Sequence, residues 1–158
     1  MAIFMLFGDI TGDVTTAGFE AWTELGSFQW GVGRGVGSAM SGAMSRESSI
    51  PSISEIVVSK TMDSASPKLW TDSVAGMFNS KVTITFTTTS QGQTEKFLSY
   101  EMTDCGLSGY SLSSGGSMPS ESLSLNFATI SWTLTPVKPD GSGTPVTQGY
   151  DLTQSKTT

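Results

Sequence analysis

Histidine is absent from this chain of 158 residues, and the absence narrows the available chemistry before any motif is sought. Without histidine there is no Ser-His-Asp relay, no imidazole-ligated metal and no imidazole base. A lone cysteine, Cys105, precludes an internal disulfide and a cysteine-cluster zinc site. It follows a strand-like run and precedes Gly106, a setting that suits a small buried apolar residue better than a reactive thiol. Carboxylate chemistry remains. A pair of carboxylates suffices for glycoside hydrolysis, and Glu20, Glu24 and Asp104 are candidates by type. Nothing in the sequence pairs them, and solvated surface carboxylates are their expected state. The glycine-rich run 31–37, G-V-G-R-G-V-G, invites a phosphate-cradling reading. It has neither the G-x-G-x-x-G spacing nor the closing G-K-[ST] that such loops require. The sequence therefore assigns no catalytic residue, no metal ligand and no cofactor.

Composition points to a structural or binding role. Only 14% of residues are charged, against 37% hydrophobic, with Ser, Thr and Gly in place of the customary Lys and Glu. A neutral hydroxyl-rich surface can meet another such surface without desolvating charges. The net charge of −6 makes nucleic acid and anionic membranes poor partners. No window approaches the roughly 18 apolar residues of a transmembrane span. The start, M-A-I-F-M-L-F-G-D, lacks a basic region and a small-residue cleavage site, so it reads as a first strand and not as a signal peptide. The protein is expected to stay in the cytoplasm or to leave by a route that needs no cleaved signal.

The elements read mostly as strands. The longest signal runs over 119–136, where Leu123, Leu125 and Phe127 alternate with polar residues, followed by Ile130, Trp132 and Leu134. Side chains alternate faces along a strand, so each half has one apolar face, but the step from Phe127 to Ile130 puts the halves out of phase. Either a bulge near Ala128 and Thr129 absorbs the extra residue, or the strand bends and its second half serves another sheet. Further strands are expected over 2–7, 20–32 with a kink at Gly26, 50–62, 81–89, 94–104, 107–113 and 146–152. Ser90 to Gln93 reads as a hairpin turn. One helix of about ten residues is expected over 67–76, with Ser66 as N-cap, Pro67 at the first position, Gly76 at the end, and Trp70 and Val74 on one face. These pieces make a single all-β domain over 1–158, a compact β-barrel or two-sheet sandwich of eight or nine strands. The small-residue stretch from about 33 to 50 is expected to be a long flexible loop.

Five blocks, in order, are similar to the Hcp family, the haemolysin-coregulated tube proteins of type VI secretion systems. They are G-D-I-T-G-D from Gly8, W-T-E-L-G-S-F-Q-W-G from Trp22, and S-K-T-M-D-S-A-S-P-K-L from Ser59. The S-G-G-S loop with E-S-L-S-L-N-F-A-T-I from Glu121 follows, then the ending P-V-K-P-D-G through G-Y-D-L. The strand from Val82 departs from the pattern, ending in T-F-T-T-T-S where many members carry basic residues and glycines. The resemblance spans nearly the whole chain. It implies a β-barrel protomer without enzyme activity, six of which close into a ring. The rings stack into an exported tube, propelled by a contractile sheath behind a tip spike, with small effectors carried in the lumen for virulence or interbacterial competition. On this reading the loop residues Arg34, Val36, Met40, Met44 and Arg46 are the candidates for ring stacking. The alternative is a monomeric β-barrel module that binds a ligand or peptide.

Overall fold

A computed structural model describes residues 1–36, 49–140 and 143–158. Its elements in chain order are β1 (Ala2–Phe7), β2 (Thr23–Leu25), β3 (Ser27–Gln29), β4 (Val32–Gly33), β5 (Ser52–Ile53), β6 (Ile56–Thr61), α1 (Ser66–Ala75), β7 (Ser80–Ser90), β8 (Gln93–Ser113), β9 (Ser120–Asn126), β10 (Thr129–Leu134), β11 (Val146–Asp151) and β12 (Lys156–Thr157). The strands outnumber the eight or nine expected because glycines and turns cut the segments around residues 23–33 and 52–61 into short pieces. Gly26 separates β2 from β3, as the kink expected there requires, and its N–H donates to the Ser59 carbonyl at 2.7 Å.

Ten of the strands form two antiparallel sheets that share β8, and β4 pairs with β5 apart from them. The first runs β12-β11-β10-β8-β7-β1-β2, and the second runs β8-β9-β6-β3. They do not close into a barrel, so the sandwich form of the expectation holds and the barrel form does not. β8 makes this possible. Its first half pairs with β7 and β10, with Tyr100 opposite Ile84 and Trp132; its second half pairs with β9, with Leu107 opposite Leu125. The changeover lies at Asp104, which has φ +48°, and Gly106. A Cβ at Gly106 would stand 2.7 Å from the Phe78 ring and 2.8 Å from the Met77 carbonyl, so only glycine lets the sheet pass there. The expectation of two strands, over 94–104 and 107–113, is corrected to one continuous strand bulged between Leu107 and Gly109. A bulge bends a strand without ending it.

Segment 119–136 resolves the other way. It breaks at 127–128, so that β9 joins the second sheet and β10 the first. Both Phe127 and Ile130 are buried, which is what the out-of-phase step demanded. The core lies between the sheets, where Ile56 and Val58 of β6, Val82 and Ile84 of β7, and Leu123 and Leu125 of β9 are fully buried. Each such side chain contributes roughly 1.5–3 kcal/mol of transfer free energy. A second aromatic cluster covers the outer face of the first sheet. Phe4 stacks on Phe19 at 4.9 Å and Phe19 meets Trp22 edge-on at 5.1 Å. The β7 threonines Thr85 and Thr87 are buried as well.

Candidate assembly and docking surfaces

Lys60 sits where the apolar stripe of β6 runs out. It follows Ile56 and Val58 with the same parity and faces Glu121 across the β6–β9 ladder. Both side chains are fully buried and their charges meet at 2.5 Å. The ammonium has three N–H donors, and all three are satisfied: Glu121, Asp63 at 2.9 Å, and the Ser66 hydroxyl at 2.9 Å. The Ser66 hydroxyl in turn donates to Glu121 at 2.8 Å and accepts the Asp63 N–H at 3.0 Å, while the Tyr110 hydroxyl donates to the other Glu121 oxygen. Burial alone would push the Glu121 carboxyl up. The hydrogen bonds from Lys60, Tyr110 and Ser66, with the Lys60 charge, outweigh burial and hold it below the usual glutamate value. Burial, then donation to Glu121 and the Glu121 charge, pushes the Tyr110 phenol up to about 12.

This cluster anchors α1. Ser66 is the first helical residue and not the expected N-cap; Ala65 holds that position without a side-chain hydrogen bond. Asp63 supplies the missing acceptor by taking the Ala65 N–H at 3.0 Å. Gly76 ends the helix with φ +65°, as expected. The face of α1 that packs inward is Ser66 and Leu69. Trp70 and Val74, the pair expected on one face, are exposed and continue into exposed Met77 and half-exposed Phe78. Their shared face was legible in the spacing; its outward direction was not.

The base of the glycine-rich segment is a narrow antiparallel stalk. Val32 pairs with Ile53 and Gly33 with Ser52. Below the ladder, Gly31 and Ser54 exchange hydrogen bonds; beyond it, Gly35 and Ser49 do the same. Arg34 donates through Nε to the Ser49 carbonyl at 2.8 Å. Of the stacking candidates, Arg34 and Val36 stand exposed on this stalk; Met40, Met44 and Arg46 lie outside the described residues.

Beside the stalk lies a groove of about 600 Å³, floored by Ile130, Trp132 and Tyr150 of the first sheet and walled by Trp30 and Ile53. Trp30 meets Tyr100 edge-on at 5.6 Å, and Tyr100 lies nearly parallel to Trp132 at 6.3 Å. Sequence reading could not find this groove, because it joins residues from the 30s, 50s, 130s and 150s.

The carboxylates considered for catalysis fall on separate elements. Glu20 accepts the Gly18 N–H at 3.0 Å, Glu24 lies exposed on β2, and Asp104 marks the bend in β8. Glu24 borders a polar cleft with Asp13 and Asp63; Asp13 accepts the Ser64 N–H at 3.0 Å, and hydrogen bonds from Ser64 hold its carboxyl low. Among the described residues, no group of three or more Asp, Glu or Cys side chains is placed to hold a metal ion. Cys105 is fully buried, and burial, with the Asp72 charge second, pushes its thiol up to about 12. Among the described residues no helix is long and apolar enough to cross a membrane.

The sequence profile described as "Type VI secretion system effector, Hcp" matches residues 4–134 of this chain. The chain belongs to the Hcp family. Its fold is similar to that of a solved type six secretion system protein, with a TM-score of 0.90, 25% identity and 99% of each chain covered. Hcp1 from Salmonella typhimurium superposes with a TM-score of 0.73 at 19% identity, over 99% of this chain and 98% of its own. A type VI secretion system effector from Yersinia pestis gives 0.74 at 16% identity, over 94% and 98%. At these two identities the likeness is one of fold. No curated protein sequence matches significantly. Membership places the chain in the tube-and-effector class of type VI secretion proteins, and in this chain apolar side chains lie open on α1 and at the groove.

Proposed function

We propose that this chain is one Hcp domain over residues 1–158 that closes with five copies into a ring. The rings stack into the inner tube of a type VI secretion system, which a contractile sheath drives out behind a tip spike, with small effectors in the lumen. The observation that carries this reading is the match of the Hcp profile over 131 residues, 4–134, of this chain. The surface chemistry supports it. A closed ring needs two different patches on each protomer, one to meet the other on its neighbour. Exposed apolar residues lie at Trp70 and Val74 on α1, with Met77 just past its end, and at the paired Leu134 and Val146 of β10 and β11. In this reading the exposed stalk with Arg34 and Val36 reaches toward the neighbouring ring, and the part it plays is positional, with no enzymatic step. Negative-stain electron microscopy of the purified chain tests the proposal. Six-fold rings, with tubes at high concentration, are the expected images; a field of isolated particles of single-protomer size contradicts it. The groove favours a second reading, a monomeric module that binds a ligand or peptide, which the same images would reveal by the absence of rings.

A further inference from the structure

We infer that the groove beside the stalk binds an extended peptide segment that carries an apolar side chain flanked by carboxylates. The floor is apolar and aromatic, made by Ile130, Trp132 and Tyr150, with Trp30 on one wall. Half-exposed aromatic surface of this kind gains from covering by an apolar side chain. The charge of the lining is the second observation. The chain is acidic, with 14 Asp and Glu against 8 Lys and Arg. Yet the two charged residues that line the groove among the described residues, Arg34 and Lys156, are both basic. Arg34 is exposed and, among the described residues, makes no ion pair; its single hydrogen bond uses Nε and leaves the terminal nitrogens for a carboxylate. Lys156 stands opposite Asp151 in the β11–β12 ladder and is partly compensated by it, which makes Arg34 the stronger anchor. Apolar floor and basic rim together select a segment with an apolar side chain and acidic neighbours. Complementarity to an acidic segment also sets register and disfavours basic ones.

The test uses the full chain and its own tryptophan fluorescence, with acetyl-Asp-Phe-Asp-Leu-amide as probe and acetyl-Lys-Phe-Lys-Leu-amide as its charge-reversed control. The acidic peptide should give a saturable change and bind at least about tenfold more tightly than the basic one, with the difference shrinking in high salt. Arg34→Glu and Trp132→Ala should each weaken the acidic peptide by about tenfold or more, and Arg34→Lys should retain most of the affinity. Arg34 is exposed, so its variants test the groove without disturbing the core. Equal affinity for the two peptides, or no saturation at millimolar concentration, overturns the inference. So does an Arg34→Glu variant that loses self-association in light scattering while its peptide affinity is unchanged, since the groove then serves contact between copies.

Discussion

Lys60 and Glu121 are the residues whose replacement has the sharpest expected consequence. Both are buried, with all three Lys60 donors and both Glu121 oxygens in use; removing Lys60 strips Glu121 of its counter-charge, and removing Glu121 leaves Lys60 only the partly exposed Asp63. Glu121→Leu is expected to destabilise the chain by about 3 kcal/mol or more in urea unfolding, and Lys60→Met with Glu121→Leu to recover most of that loss. If the double variant is as unstable as the single one, packing and not charge governs the site. The same pair sets an acid limit. The Glu121 carboxyl titrates below its unfolded value of 4.5 in the folded state. Its contribution is therefore complete above about pH 4.5 and is lost as pH falls through the folded value. Below pH 4.5 the double variant should lose stability less steeply than the native chain, measured by urea midpoints across pH. The sequence held a partial sign of this cluster, because Lys60 shares the parity of Ile56 and Val58. Parity places a lysine on the inner face but cannot supply its partners, which come from α1, β8 and β9. Cys105 was more legible, since a small residue beside a sheet glycine has little room to be anything but buried.

At the scale of elements, alternation disclosed most strands because side chains on a half-buried strand must alternate. β6 and β9 follow it closely. It misled where a strand is irregular. Gly106 and Gly109 look like interruptions, yet β8 runs through both, because one glycine admits Phe78 and the other follows a bulge. The helix was found by its punctuation, Pro67 and Gly76, while its orientation was not. Trp70 and Val74 form the more apolar pair, but the anchoring of Ser66 to Lys60 and Glu121 turns Leu69 inward and sends Trp70 out. Spacing alone reports which residues share a face and not which way the face points. The stalk carries the prediction that belongs to this scale. Its hydrogen bonds between Gly35 and Ser49 and its β4–β5 ladder close below the segment 37–48. Deletion of residues 37–45 is expected to leave rings intact and to abolish tubes in electron micrographs. Loss of the rings themselves would remove the loop from stacking and assign it to ring closure.

At the scale of the molecule, the ordered blocks from Gly8 to Leu152 were enough to place the chain in its family, since order and spacing over a whole chain are more specific than any single motif. The arrangement in space was less accessible. The groove and the α1 patch each gather residues far apart in sequence, and their separation on the surface follows from β8, which spans both sheets. The α1 patch and the exposed Leu134 and Val146, on an acidic, low-charge protomer, suit head-to-tail contact between copies, held by apolar and main-chain interactions. Light scattering on a sizing column, at two protein concentrations and two salt levels, tests self-assembly most directly. A single peak of about 100 kDa, six copies of a 16.6 kDa chain, insensitive to salt, is the expected result. A peak near 16.6 kDa at both concentrations would contradict ring formation and leave the peptide-binding groove as the better guide to what the chain does.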